Sequence, residues 1–302
     1  MEFLVVGAGS LGSLLGGLLA REHEVTLVGR DPHVAAVRES GLTVEGAVET
    51  LVHPDARTEP PAGRFDCALV TTKAFDTAAA ARDLADTGTT LDAALSLSNG
   101  LGNEATLADA LGDCAVLAGT CTYGATTPAP GVVRCTGVGE VVLGARAGGP
   151  STTADRVGTA FTEAGIETTV AADMPRRLWE KLAVNAGINA PTALARVENG
   201  ALLDGPGNAV GRRAAREVAR IARAEGVDLS EAAATDAVER VAAATAANTS
   251  SMQQDVLAER RTEVDAILGT ALERADTHGL TGPTLRTLAE LLRAWERARG
   301  LR

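Results

Sequence analysis

The chain has 302 residues, enough for two domains of ordinary size, and its hydrophobic share of 45% is that of a folded globular protein. Its formal net charge of −11 creates a negative field that repels nucleic acid. No apolar stretch reaches the roughly 18 residues that a membrane span requires, and the first residues show no secretion signal. We therefore expect a cytoplasmic globular protein without membrane or nucleic-acid partners.

The few cysteines and lysines of the chain each bear on the kind of site it can hold. The four cysteines show no CxxC spacing and no companion histidines, so we expect reduced structural thiols and no metal site. Lys73 and Lys181 are the only lysines among 28 basic residues, a bias typical of a GC-rich or halophilic source. Because arginine does not release its proton, a site that needs a titratable ammonium must keep lysine. Both lysines are therefore candidate site residues.

Strands and helices alternate along the first half of the chain. The pattern predicts strands at 2–6, 24–28, 67–72 and 93–98, with helices between them and a short strand pair at 42–52. This alternation is typical of a doubly wound parallel sheet. Gly- and Thr-rich segments from 115 to 143 predict additional strands at the edge of that sheet.

The second half is predicted to be almost entirely helical. The predicted helices are 175–190, 206–226, 229–247, 251–278 and 283–299. We therefore expect an α/β Rossmann-type domain over 1–172 and an all-α domain over 173–302.

A glycine-rich segment joins the first predicted strand to the first predicted helix. Gly7 permits a tight turn, Gly9 lets the backbone approach a pyrophosphate, and Gly12 allows the helix to pack closely on the strand. The free N–H groups of the helix N-terminus then face the phosphates. The segment predicts a dinucleotide-binding loop made of Gly7, Ala8, Gly9, Ser10, Leu11 and Gly12.

The end of the second strand bears on which dinucleotide is bound. An NAD site carries an acidic residue there to hold the ribose hydroxyls, but this chain has Gly29 followed by Arg30. A guanidinium suits a 2′-phosphate, which favours NADPH over NADH. Asp31 also lies at about the distance expected of the NAD acid, and Arg30 as a merely solvated loop residue remains the alternative.

One predicted helix carries a single narrow polar stripe. Lys181, Asn185 and Asn189 are spaced four residues apart and so share one face, whereas the helix around them is apolar on nearly every side. This pattern favours a buried helix whose stripe lines a cavity, with an anion or carboxylate near the lysine. The alternative is a structural hydrogen-bond network between domains.

Together these segments resemble the ketopantoate reductase family over essentially the whole chain. The residues that carry the resemblance are the glycine loop, Thr72-Lys73-Ala74, Ser98-Asn99-Gly100, Trp179-x-Lys181-x-x-x-Asn185-x-x-x-Asn189, Asn248-x-Ser250-Ser251-Met252-x-x-Asp255 and Arg261-Thr262-Glu263-Val264-Asp265. Tyr123-Gly124 departs from the family's usual His-Ala and weakens the match at the next residue, Ala125.

The resemblance implies reduction of ketopantoate to pantoate by NADPH, a step of pantothenate and coenzyme A biosynthesis. It implies a helical second domain like that of 6-phosphogluconate dehydrogenase, with the active site in the cleft between domains. Lys181 would be the general acid, and Glu263 would lie near it and the nicotinamide. The implied cofactor contacts are Lys73, Asn99, Ala125 and Glu263. The implied substrate contacts are Asn99, Lys181, Asn185, Asn189, Asn199, Asn248 and Ser251.

Some of these residues have a purely structural alternative. Ser250 or Ser251 could cap a helix, Glu263 could pair with Arg260 on an exposed helical face, and Asn199-Gly200 could form only a turn.

Two rival functions stay open from the sequence. One is a related NAD(P)H-dependent reductase of another 2-keto acid. The other is a non-catalytic NADPH sensor, which would not need both a lysine and a carboxylate in the site. The sequence also leaves a homodimer open.

Overall fold

A computed structural model describes all 302 residues, and the chain divides into two compact units. The N-terminal unit comprises Met1–Ser98 and Gly102–Met174. The helical unit comprises Asn99–Leu101 and Pro175–Arg302. The short segment Asn99–Leu101 therefore belongs to the helical unit although it lies far earlier in the sequence.

The N-terminal unit contains twelve strands and five helices. The strands are β1 (Glu2–Val6), β2 (Glu24–Val28), β3 (Leu42–Gly46), β4 (Thr50–Val52), β5 (Asp55–Arg57), β6 (Gly63–Val70), β7 (Thr89–Ser96), β8 (Ala115–Cys121), β9 (Gly124–Ala129), β10 (Val132–Gly137), β11 (Val141–Ala145) and β12 (Thr168–Val170). The helices are α1 (Ser10–Leu19), α2 (His33–Ser40), α3 (Thr77–Asp86), α4 (Asn103–Leu111) and α5 (Thr152–Glu163).

The main sheet has eight strands in the order β12-β11-β8-β7-β6-β1-β2-β5. All neighbours are parallel except β11 and β8. β1, at the centre of the parallel part, is an apolar run that is buried over Phe3–Val6, as expected for a strand covered on both faces. The predicted doubly wound parallel sheet is confirmed.

A second sheet of four strands, β4-β3-β10-β9, lies in the same unit. Helix α1 contacts strands of both sheets, so it is buried from Gly12 through Leu19. The prediction that strands between 115 and 143 extend the edge of the main sheet is therefore only partly right. β8 and β11 join that sheet, whereas in the smaller one β10 pairs with β3 and β9 pairs with β10.

The helical unit consists of six α-helices and short 3₁₀ and π turns. The helices are α6 (Met174–Ala195), α7 (Gly205–Ala224), α8 (Glu231–Ala244), α9 (Ser251–Leu257), α10 (Thr270–Thr277) and α11 (Pro283–Ala298). They enclose one apolar core of mainly Ala, Leu, Val and Ile side chains. The all-helical prediction for this part of the chain is confirmed.

The predicted single helix over 251–278 is wrong. α9 ends at Leu257, and helical structure resumes only with a π turn at Asp265–Gly269 that leads into α10. Within the break, the backbone N–H of Thr262 donates to the Glu296 carboxylate at 2.7 Å instead of to a helical carbonyl. A hydrogen bond to a residue 34 positions later in the sequence therefore interrupts the helix that the local sequence pattern predicts.

No helix is both long enough and apolar enough to cross a membrane. All four cysteines are free thiols. Cys67 is fully buried and Cys114 partly so, and burial raises the pKa of the Cys114 thiol to about 11.

Candidate functional site

The glycine loop follows β1 at the carboxyl edge of the main sheet. Gly7 has a φ of +103°, and a Cβ there would lie 2.7 Å from the backbone N of Thr72. A Cβ on Gly12 would run into the Gly7 carbonyl and would lie 2.5 Å from the Thr71 hydroxyl oxygen. Only glycine allows β1, α1 and the end of β6 to approach this closely.

Gly9 has the opposite environment. It is exposed, and a Cβ there would meet nothing nearer than the Gly7 carbonyl oxygen at 4.0 Å. No protein contact therefore requires glycine at this position, although the motif keeps it. A bare backbone beside the N-terminus of α1 fits the close approach of a pyrophosphate.

Strand β9 lies beside this loop. The Ser10 hydroxyl is 3.0 Å from that of Thr127, and β9 also contains the half-buried Ala125. Ala125 therefore lies on an element next to the glycine loop, although its own contact with a cofactor stays a prediction.

His33 was not predicted to have a role, yet it joins three segments around the loop. Its Nε2 is 2.9 Å from the Ser13 hydroxyl on α1, and its Nδ1 accepts the Gly131 N–H at 3.1 Å. Because Nδ1 is an acceptor, the neutral ring carries its proton on Nε2. Burial lowers the pKa of His33 and so favours this neutral form. Nothing in the spacing of the sequence signals this link.

Arg30 and Asp31 follow β2 at the same edge of the sheet. The Arg30 side chain is 89% exposed, and its guanidinium lies 3.4 Å from the carboxylate of Asp76, which follows β6. The Asp31 Oδ1 accepts the Ala35 N–H at 3.0 Å in the first turn of α2, but the Asp31 side chain is still 56% exposed. Both charges are therefore accessible at this position, and the arginine is the more exposed of the two.

Lys73 lies three residues after the end of β6 and immediately precedes the 3₁₀ turn Ala74–Asp76. Since β6 neighbours β1, the residue follows a strand next to the glycine loop. Its predicted cofactor contact fits this position in the N-terminal unit.

The polar stripe predicted on one helix lies on α6. Lys181 and Asn185 are half-buried and Asn189 is 7% exposed, whereas Leu182, Ala183 and Ala186 belong to the core. The Asn185 Nδ2 is buried and has no hydrogen-bond partner. An unsatisfied buried amide is costly, which is expected if a ligand completes the hydrogen bond.

Three of the other predicted substrate residues gather around the end of α6. The Asn189 amide donates to the Ser251 hydroxyl at 3.4 Å, and the Asn199 N–H donates to the Asn248 carbonyl at 3.1 Å. Asn199 is 6% exposed, and its Oδ1 is buried without a partner. Asn199 thus offers an unused acceptor and Asn185 an unused donor.

The structure also decides between the alternatives for two of these positions. Ser250, not Ser251, caps α9, and its hydroxyl accepts the Gln253 N–H at 3.2 Å. Asn199 does begin a 3₁₀ turn, but its side chain is buried and donates to the Thr245 hydroxyl at 2.9 Å.

Gln253 was not singled out from the sequence. It is 5% exposed, and its Oε1 is buried without a partner, two residues after Ser251. Gln253 lies in a mostly polar segment, where the sequence indicates only a helix cap with Ser250 and not a buried unpaired oxygen.

Asn99 and Glu263 are brought together within the helical unit. The Asn99 Nδ2 donates to the Glu263 Oε2 at 2.9 Å. Glu263 is only 5% exposed, and the Arg260 guanidinium pairs with Asp255 at 3.2 Å. The alternative of Glu263 paired with Arg260 on an exposed helical face is therefore wrong.

Two family models match the chain. One, described as ketopantoate reductase PanE/ApbA, matches residues 3–148, and the other, its C-terminal counterpart, matches residues 173–296. A 2-dehydropantoate 2-reductase of Halobacterium salinarum is 46% identical over 98% of this chain and 99% of its own length. A PanE/ApbA family ketopantoate reductase from Ralstonia eutropha superposes with a TM-score of 0.90 at 31% identity, over 99% of this chain and 100% of that one.

A D-mandelate dehydrogenase solved with NADH and anilino(oxo)acetate has the same fold. It superposes with a TM-score of 0.92 at 23% identity and covers all of both chains. At that identity the likeness concerns the fold alone. The two family models and the relative of nearly identical length show that the chain belongs to the ketopantoate reductase family.

Proposed function

We propose that the protein is an NADPH-dependent 2-dehydropantoate 2-reductase that reduces ketopantoate to pantoate in the cytoplasm, as a step of pantothenate and coenzyme A biosynthesis. The chemistry rests on one observation, the Lys181–Asn185–Asn189 stripe on helix α6, with a buried amide donor left unpaired. The identity of the keto acid rests on the relative that is 46% identical over the whole chain.

The dinucleotide belongs to the glycine loop. The fixed turn at Gly7 and the bare backbone at Gly9 suit a pyrophosphate at the N-terminus of α1. Arg30 would hold the 2′-phosphate, since its guanidinium is exposed and one oxygen of Asp31 already accepts a hydrogen bond from α2. The exposed guanidinium of Arg30 supports NADPH over NADH.

When bound, the reduced nicotinamide supplies a hydride to the keto carbon. Negative charge then develops on the keto oxygen, and the Lys181 ammonium stabilises it and donates the proton that completes the alcohol. Lysine serves here where arginine would not, because only lysine can release the proton.

The asparagines orient the substrate in this account. Asn185 can donate to an anionic or hydroxyl oxygen, and Asn199 can accept from a hydroxyl, so together they match a hydroxy-keto acid. Glu263, held by Asn99, would lie beside the lysine and the nicotinamide.

The test is an NADPH-oxidation assay with ketopantoate and a panel of other 2-keto acids. We expect ketopantoate to give the highest kcat/KM. Turnover with a different keto acid only would support a reductase but would overturn ketopantoate as its substrate. NADPH binding without turnover on any member of the panel would favour a sensor, and a higher kcat/KM with NADH would overturn the cofactor.

A further inference from the structure

The segment between α9 and α10 carries Glu263 without the support of a helix. Thr262 and Glu263 are 2% and 5% exposed, so their polar groups must be satisfied inside the protein. Glu259, just before them, has a φ of +50°, and the π turn starts at Asp265. The position of the Glu263 carboxylate therefore depends on what holds this segment.

The first contact that fixes this segment comes from Glu296, near the end of α11. Its side chain is 0% exposed, and its Oε1 accepts both the Thr262 N–H at 2.7 Å and the Thr262 hydroxyl at 2.6 Å. Its Oε2 accepts from the Arg302 Nε at 3.0 Å. A carboxylate buried this completely is tolerated only when it is fully hydrogen-bonded, so the segment and α11 hold each other.

A second contact that fixes the segment involves Asp265, just after Glu263. Asp265 accepts from the Arg293 Nε and Nη2 at 3.0 and 2.9 Å. The Arg302 guanidinium also donates to Asp265 and thereby bridges it to Glu296. Burial alone would raise the pKa of Asp265, but the two arginines bring it below its ordinary value. Residues on both sides of Glu263 in the sequence, Thr262 and Asp265, are thus hydrogen-bonded to α11 or to the residues that follow it.

The third contact reaches the side chain of Glu263 itself. Gly100 has a φ of +87°, and a Cβ there would collide with the backbone of Ala266 in the π turn. This close packing brings Asn99 to the 2.9 Å hydrogen bond with Glu263. Moving the segment of Glu263 away from Glu296 would therefore change the distance between Asn99 and Glu263.

We propose that Glu296 is a positioning residue of the reductase: by holding Thr262 from α11 it sets the place of the Glu263 carboxylate beside the reacting groups. This role rests on the proposed function. A shift of about 1 Å in a reacting group costs on the order of 100-fold in rate, so a contact remote from the substrate can control kcat.

The first variant is Glu296→Gln, which keeps the shape of the side chain but removes its charge and one acceptor oxygen. We expect kcat for NADPH oxidation to fall roughly tenfold or more, while the Kd for NADPH changes less than about twofold. The protein should still unfold cooperatively, at a lower Tm.

Glu217 provides the matched control. It is 6% exposed, and its carboxylate accepts the N–H groups of Thr284 and Leu285 at 3.0 Å each. Like Glu296 it is a buried carboxylate that accepts two hydrogen bonds, but its contacts lie at the start of α11, about 18 Å along that helix from Glu296 at 1.5 Å per residue. Glu217→Gln should lower Tm to a similar extent and leave kcat unchanged.

Both variants are assayed with the wild type at a temperature well below every Tm. The proposal is overturned if Glu296→Gln lowers kcat no more than Glu217→Gln does. Wild-type protein without turnover on any keto acid overturns the proposed function and the positioning role with it. If Glu296→Gln does not fold, Thr262→Val and Thr262→Ser replace it: the valine should lower kcat and the serine should restore it, and equal kcat values would overturn the proposal.

Discussion

Asn99 and Glu263, 164 residues apart in the sequence, are joined by a 2.9 Å hydrogen bond from the amide to the carboxylate. The bond lies inside the helical unit, because the segment around Asn99 leaves the end of β7 and packs on the π turn after Glu263. An amide donor fixes which way the carboxylate points. A segment that follows β7 thereby helps to set the geometry of a residue far along the chain within the same unit.

Asn185→Ala should raise the KM for the keto acid about tenfold, the worth of roughly one hydrogen bond to a charged group. Its effect on Tm should be small, because the Nδ2 has no protein partner to lose. The measurements are steady-state kinetics and thermal unfolding.

Thr235→Val is the control for this variant. The Thr235 hydroxyl, on α8, donates only to carbonyls of its own helix, that of Ala232 at 2.9 Å among them, and the residue is 2% exposed. The valine should cost about 1 kcal/mol of unfolding free energy and leave KM unchanged. A large loss of Tm in Asn185→Ala with no change in KM would contradict a substrate contact.

Arg30→Ala should raise the KM for NADPH roughly 10- to 100-fold, since a hydrogen bond to a charged group is worth about 1.5–3 kcal/mol. The KM for NADH, which lacks the 2′-phosphate, should change little. Asp76→Asn is the counterpart, because it removes the carboxylate 3.4 Å from the guanidinium and should lower the KM for NADPH. Equal effects of Arg30→Ala on the KM values for NADPH and NADH would show that Arg30 does not bind the 2′-phosphate.

His33 should make the stability of the N-terminal unit depend on pH. Its pKa lies below the ordinary 6.5 because burial disfavours the charged ring. Above pH 6.5 the ring is neutral in folded and unfolded protein alike. As the pH falls below that value the unfolded chain takes up the proton first, so stability is lost. Protonated Nδ1 would also face the Gly131 N–H, donor against donor.

His33→Asn tests this dependence, since its amide oxygen can still accept the Gly131 N–H and does not titrate. The Tm of the wild type should fall more than that of the variant between pH 7 and pH 5. If the curves of Tm against pH are parallel for the wild type and the variant, His33 contributes nothing to the acid sensitivity of the fold.

The fold class was predictable because its signals are local. Apolar runs followed by glycine and by helical periodicity predict βα units wherever they occur, and β1 and α1 follow that pattern residue by residue. The smaller sheet was not predictable, since the pairing of β3 with β10 joins segments nearly 90 residues apart through backbone atoms alone. The break before α10 depends likewise on Glu296, which no local pattern connects to Thr262.

The candidate site was predicted in part by residue spacing. The stripe on α6 follows from helical geometry, and the conformation of the glycine loop follows from its turn. Asn199, Asn248 and Glu263 came from family resemblance, because their neighbours in space are distant in sequence. His33 and Gln253 were not predicted as site residues, because each stands near other polar residues in the sequence and neither matches a functional motif. The roles of the site residues stay predictions.

The central claim is that Lys181 donates the proton to the keto oxygen. The most direct test is kcat for NADPH oxidation with ketopantoate in Lys181→Ala and Lys181→Arg, together with the Kd for NADPH. We predict that both variants lose most of kcat, by about 10²–10⁴-fold as for loss of a general acid, and that both still bind NADPH. A Lys181→Ala variant with the full kcat of the wild type would contradict the mechanism.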